Sequence, residues 1–294
     1  MRRALLILAL IAAAFAALIA SGADAAVARW AAGWQRDFQN GLAGALRALR
    51  SGDPGAFAWL MGLAFAYGVV HAAGPGHGKM LIGGYGLAAR VPALRLSWIA
   101  LAASLGQAGT AIALVYGGML ILGYSRTQLT GLAEGAMAAV SAIAIGLIGL
   151  WLVLRGARKL MARRSRADHV HDEDCGCGHR HGPTAEEVAA AHGWRGTLAL
   201  IGAIAIRPCT GALLLLVLTW QMGIPAAGVA GTIAMALGTG AVTVAVAVIA
   251  AVAREGALGS GAGAGGTIAR VVPMMEILAG SAVALIALQM LNWI

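Results

Sequence analysis

Two groups of metal-ligating residues dominate the chemistry this chain could perform. The first is Tyr67-Gly-Val-Val-His71-Ala-Ala-Gly74-Pro75-Gly76-His77-Gly78-Lys79, with two imidazoles flanking a Gly-Pro-Gly break. The second is Asp168-His169-Val170-His171-Asp172-Glu173-Asp174-Cys175-Gly176-Cys177-Gly178-His179-Arg180-His181. Together with His192, these two stretches hold all seven histidines of the protein. Imidazole is a common ligand for late first-row transition metals, and thiolate and carboxylate widen the range of ions held.

The surroundings of the two groups differ. His71 and His77 lie in a long apolar segment, where ionisable residues are costly and mark an ion or substrate path. On an unbroken helix, residues six apart point about 120° away from each other. Pro75 lacks a backbone donor and the flanking glycines permit unusual dihedrals, so an unwound turn can aim both imidazoles at one ion. The competing reading is two histidines hydrogen-bonded across packed helices. The tract at 168–181 is too polar to form a core, and it lacks the spacing of a structural zinc finger. It reads as an adaptable site for nickel, cobalt or zinc, against the plainer reading of a solvated charged loop.

The elements that must position these residues follow from composition. Hydrophobic residues make up 60% of the 294-residue chain, charged residues 11%, and the mean hydropathy is +0.81. An average soluble domain is about 25% charged, so the chain reads as an all-α, polytopic membrane protein. The net charge of +9 comes from arginines scattered over short loops, which fits membrane topology rather than nucleic-acid binding. A phosphate-binding Gly-x-x-x-x-Gly-Lys-Ser/Thr loop is absent, which excludes this means of ATP hydrolysis.

Residues 1–25 read as a signal peptide or an N-terminal transmembrane helix: Arg2-Arg3, an apolar run, then small residues ending Ala23-Asp24-Ala25. Residues 26–54 read as a periplasmic amphipathic segment with Trp30, Trp34, Phe38, Leu42, Leu46 and Leu49 at helical spacing. Six spans are predicted at about 56–78, 97–123, 132–154, 197–222, 227–253 and 271–293, the first extending as a broken helix toward Ala89. Tryptophans 59, 98, 151, 194, 220 and 293 fall near span ends, as an interfacial aromatic belt requires. Lys and Arg are concentrated in 79–96, 155–196 and 254–270, which puts those loops in the cytoplasm and the C-terminus in the periplasm.

Residues 55–155 and 196–294 read as two three-helix repeats around the His/Cys-rich loop 156–195. Gly74-Pro75-Gly76-His77-Gly78 aligns with Arg207-Pro208-Cys209-Thr210-Gly211, Leu105-Gly106-Gln107 with Leu237-Gly238-Thr239, and Glu134 with Glu276. Three spans per half make the repeats inverted, a secondary-transporter architecture with its site at the midplane. Candidate path residues are therefore His71, Gly74, Pro75, Gly76, His77, Lys79, Gln107, Glu134, Arg207, Pro208, Cys209, Thr210, Thr239 and Glu276. Lys79 can equally be a snorkelling anchor. Cys209 is more simply a small buried hydrophobe. Arg207, deep in its span, needs a carboxylate or the carbonyls that Pro208 frees. Glu134 and Glu276, the carboxylates of the six spans, suit proton exchange or an interfacial position. Candidate metal ligands are His71, His77, His169, His171, Asp172, Asp174, Cys175, Cys177, His179 and His181.

The motif His71-Ala-Ala-Gly-Pro-Gly-His77-Gly-Lys79, the run Arg207-Pro-Cys-Thr-Gly-Ala212 before a Leu-rich stretch, and the central histidine-rich loop resemble the NicO-type nickel/cobalt exporters of bacterial inner membranes. The resemblance covers about residues 55–294. It implies a multi-pass carrier moving Ni²⁺ or Co²⁺ outward as substrate, with no permanently bound cofactor, the histidine motif in the path and the lipid bilayer around it. Some exporters of this family carry a carboxylate where this chain has Gly74. The related importers carry aspartates that this chain lacks. Assembly into homo-oligomers stays open.

Three other readings remain. A cytosolic metal-binding loop also suits an importer, as the acceptor after entry. A thiol-redox electron-transfer protein would need a cysteine pair in the membrane, and Cys209 has no second cysteine in the predicted spans; Cys209→Ser would then abolish redox transfer while sparing most metal transport. A metal sensor or accessory subunit would bind metal without flux.

Overall fold

A computed structural model describes residues 23–73, 77–88, 91–167, 194–259 and 265–292, and its described residues are helical, with no strand among them. The expected leader, the Gly74-Pro75-Gly76 break and the metal-ligand candidates of the central loop lie outside those residues.

Helix α1, Ala23–Arg50, is strongly amphipathic. Its apolar stripe buries Leu42, Ala45 and Leu46 against α2, Ala56–Ala73, while Trp30 and Trp34 stay exposed near its start. Helix α2 is apolar on every face, as expected of a helix between protein and lipid. Helix α3, His77–Ala88, follows it and extends the first half toward Ala89 as the sequence suggests.

Helix α4 runs from Ala93 to Ile112 and continues through a π-helical turn, Ala113–Gly117, to Leu120. Ser125 then starts α5, Arg126–Glu134, with a capping box in which Ser125 Oγ accepts from the Gln128 amide and the Gln128 side chain accepts from the Ser125 amide. Gly135 turns the chain into α6, Ala136–Ala167. The second half comprises α7 (Trp194–Ala205), α8 (Thr210–Gln221), α9 (Pro225–Gly259) and α10 (Gly265–Leu291).

Four continuous helical stretches are long and apolar enough to cross a membrane: Ala93–Leu120, Arg126–Met161, Pro225–Glu255 and Val272–Leu291. The pair α7 and α8 makes a fifth if taken as one span bent by 60°. The chain is therefore a multi-pass helical membrane protein. The remaining predicted span, 56–78, corresponds to α2, which is apolar but shorter than a full crossing helix among the described residues. Several helices outrun their predicted spans: α6 continues through Arg155, Arg158, Lys159, Arg163, Arg164 and Arg166. Arg and Lys are good helix formers, so loss of hydropathy marks the end of the apolar stretch and not of the helix.

The packing partners mirror each other across the two halves. Helix α9 packs on α2, α3 and α4, and α4 packs on α7, α8 and α9; α6 pairs with α10. Small residues set these crossings. A Cβ on Gly68 or on Gly238 would collide with backbone of the opposite helix (Met235 O and Phe65 O respectively), and one on Gly106 would sit 2.7 Å from Ala205 Cβ. Such close backbone approach is a mark of helix pairs in membranes, where dispersion and polar contacts drive association. Outward, Ile249, Leu285 and Trp98 are 67%, 64% and 64% exposed, a surface suited to lipid.

Candidate functional site

Pro208 is the origin of the site in the second half. It has no backbone N–H and disfavours helical dihedrals in the residue before it, so α7 stops at Ala205 and Cys209 is extended (φ −72°, ψ 131°) before α8 restarts at Thr210. The interruption frees carbonyls. Gln107 of α4 meets them: its Nε2 donates to Ile204 O and to Arg207 O, each at 3.2 Å. The corresponding residue of α9, Thr239, donates from Oγ1 to Gly68 O of α2 at 3.2 Å. Gln107 and Thr239 thus each hydrogen-bond backbone carbonyls in the other half of the chain.

In the first half, His71 lies in the last turn of α2 and stacks on Tyr67, with ring centroids 5.9 Å apart and planes 7° from parallel. Tyr67 is fully buried, and its hydroxyl accepts from Gln39 Nε2 of α1 at 3.4 Å. Its ring covers Gly211, where a Cβ would strike the phenol. Cys209, at the interruption of the second half, lines the same pocket as Tyr67.

A pocket opens here, lined by Tyr67, Gly68, Gln107, Cys209, Thr232 and Thr239 with Ala108, Ala212, Met235 and Ala236; it holds roughly 290 Å³ of space counting its open side. Thr232 Oγ1 is buried in its wall without a hydrogen-bond partner. The structure brings together four residues of the predicted path: His71, Gln107, Cys209 and Thr239. It adds three that sequence reasoning missed as site residues, namely Tyr67, Gln39 and Thr232. Tyr67 lies four residues before His71, the helical spacing that stacks two rings, and this was the available signal. Nothing in the sequence pointed to Gln39 or Thr232.

The other candidates are placed differently. His77 and Lys79 belong to the first turn of α3. Pro208 is buried, while Thr210 is exposed at the start of α8. Arg207 is partly buried, and Glu134 is exposed at the end of α5. Glu276 is away from the pocket. Its Oε1 accepts from Arg155 at 2.7 Å and from Lys159 at 2.6 Å across the α6–α10 interface, with its side chain 1% exposed. Arg155 also lies over the Trp151 ring, 4.8 Å from its centroid. Among the described residues no group of three or more His, Cys, Asp or Glu comes together.

A pocket carrying Gln107, Cys209, Thr232 and Thr239 beside the interruption at Pro208 sets polar side chains inside an apolar multi-pass bundle, where such groups are costly and mark a functional site. Direct comparison finds two similarities. Residues 57–193 match the NicO family, described as high-affinity nickel-transport protein. Over 280 residues the chain is 29% identical to a Haemophilus influenzae protein provisionally named a nickel/cobalt efflux system, covering 88% of this chain and 87% of that one. No solved structure matches. The chain is thus similar to proteins described as nickel or nickel/cobalt transporters.

Proposed function

We propose that the protein is a secondary transporter that exports nickel and/or cobalt ions across the bacterial inner membrane. The observation that carries this reading is a pocket that gathers Gln107, Cys209, Thr232 and Thr239 with Tyr67, on which His71 stacks, beside the interruption at Pro208. A membrane bundle gains nothing in packing from such an arrangement. Desolvated polar groups cost free energy unless they serve a ligand or each other. Transition-metal cargo is the ligand that imidazole and thiol donors suit.

In this reading, residues 55–155 and 196–294 are two inverted three-helix repeats, and the spans broken at 74–76 and 206–209 meet at the midplane. The mirrored packing of α4 and α9, and the paired bracing by Gln107 and Thr239, support it. The His/Cys-rich loop lies in the cytoplasm, collects metal there and delivers it to His71 and His77; the C-terminus is periplasmic. Rocking of one half against the other then opens the pocket to the outside. Of the two carboxylates considered for proton exchange, Glu134 is the one we assign. Glu276 is engaged as a counter-ion.

Cellular nickel and cobalt content tests this directly, in a metal-sensitive bacterial host expressing the wild type or His71→Ala/His77→Ala at matched membrane levels. Lower metal with the wild type, lost in the double variant, is the expected result. Higher metal would make the protein an importer. No difference for either ion would remove the nickel/cobalt assignment.

A further inference from the structure

We propose that the end of the bundle formed by the starts of α4 and α7 and the basic end of α6 binds anionic phospholipid headgroups of the adjoining leaflet. The site is independent of what the bundle carries. Contacts place the three elements at one end. Arg95, near the start of α4, donates to Thr197 Oγ1, near the start of α7, at 3.2 Å. Farther along, Gln107 meets Ile204, so α4 and α7 run side by side in one direction. Ser141, at the start of α6, donates to Ala203 O near the far end of α7. From there α6 runs back: Gly149 closes on Gly280 and Ala284 of α10, Val283 packs on Gly84 of α3, and Gly86 packs on Leu96 of α4.

At that end the outer surface carries indole and cation together. Trp98, Trp151 and Trp194, one each from α4, α6 and α7, are 64%, 46% and 68% exposed. Amphipathic indole rings favour headgroup depth, so the three mark the boundary of the bilayer. On α6 the exposed residues Leu147, Trp151, Leu154, Arg158 and Met161 recur every three or four positions, a single stripe. Arg158 therefore continues the lipid-facing stripe one turn beyond Leu154, where hydrocarbon gives way to headgroups. Arg155 and Lys159 turn instead to Glu276, whereas Arg158 makes no ion pair among the described residues. Arg163, Arg164 and Arg166 continue the same helix, and no carboxylate interrupts it from Arg155 to Ala167. The Lys and Arg distribution assigns this end to the cytoplasm, the side whose leaflet is anionic. Guanidinium forks match phosphate geometry, and a basic cluster beside a membrane-crossing helix attracts acidic headgroups. Phosphatidylcholine offers the same phosphate with its charge cancelled, so the surface selects lipids of net negative charge.

The test is native mass spectrometry of the full chain ejected from nanodiscs of equimolar phosphatidylglycerol and chain-deuterated phosphatidylcholine, so that the bound lipids separate by mass. The wild type should retain phosphatidylglycerol over phosphatidylcholine by about tenfold or more, since each cation near an acidic surface is worth a factor of about five. Arg158→Gln, which leaves the Arg95–Thr197 bond intact, should lower that preference about fivefold. Arg95→Gln/Arg158→Gln should lower it on the order of tenfold or more. Arg36→Gln/Arg126→Gln removes the same charge from exposed positions on α1 and α5, outside the site, and should leave the preference unchanged. Equal retention of the two lipids by the wild type, the result for a plainly solvated helix end, would overturn the proposal. A preference that survives Arg95→Gln/Arg158→Gln, or that falls as far in the α1 and α5 control, would overturn it as well.

Discussion

Glu276 offers the sharpest test of how this bundle is held together. Its side chain is 1% exposed, Arg155 is 19% exposed and Lys159 is 45% exposed, with both cations on the same carboxylate oxygen. Removing one partner of a buried ion pair typically costs about 3–5 kcal/mol, because the other charge is left uncompensated. The Lys159 contact, nearly half in solvent, adds about 1 kcal/mol or less. Glutamine keeps an oxygen that can still accept from Arg155, recovering about 1 kcal/mol. Glu276→Gln should therefore destabilise the protein by about 2–4 kcal/mol. Lys159→Met should cost about 1 kcal/mol or less. Reversible unfolding of the purified variants in mixed micelles, followed by far-ultraviolet circular dichroism across a denaturing-detergent titration, gives both values. Equal and negligible losses would refute the structural role of the pair. If Glu276→Gln instead left stability intact and flattened the pH dependence of transport, Glu276 would be the proton-exchanging carboxylate.

Other outcomes follow from the same contacts. Glu134→Gln should alter the pH dependence of metal flux in proteoliposomes while leaving unfolding within about 0.5 kcal/mol, as expected of an exposed surface change; unchanged pH dependence would remove Glu134 from coupling. Gln107→Leu leaves the carbonyls of Ile204 and Arg207 unserved and should cost about 2–4 kcal/mol, whereas Thr239→Val, which loses one bond, should cost about 1 kcal/mol, both read by the same detergent titration. Gly238→Val forces a side chain into the Phe65 carbonyl, so the variant should fail to accumulate in membranes, while Gly109→Val, with open space at its Cβ, should accumulate normally. Membrane immunoblots at matched transcript levels settle that comparison.

The helical class, the membrane setting and most of the span positions were legible because hydropathy is a local property of the chain. The break at Pro208 was equally legible, since proline removes its own hydrogen bond wherever it sits. The alignment of Gln107 with Thr239 anticipated two residues in comparable roles, and each does hydrogen-bond the opposite half. The amphipathic stripe of α1 showed which face would be buried, though not that Gln39 on that helix would reach Tyr67.

Sequence by itself determined the inventory: which residues can ligate metal, where helices must break, and which segments belong in lipid. Only the tertiary structure decided the pairings. It set Cys209 and Tyr67 on one pocket, a juxtaposition that no local pattern encodes. It also separated two carboxylates that the sequence alignment had paired, leaving Glu134 exposed and burying Glu276 against Arg155 and Lys159. The physical reason is that a charged group's role depends on its nearest opposite charge and its solvent. Both are set by how helices cross, through glycines such as Gly68 and Gly238, and not by the residues next to it in the chain.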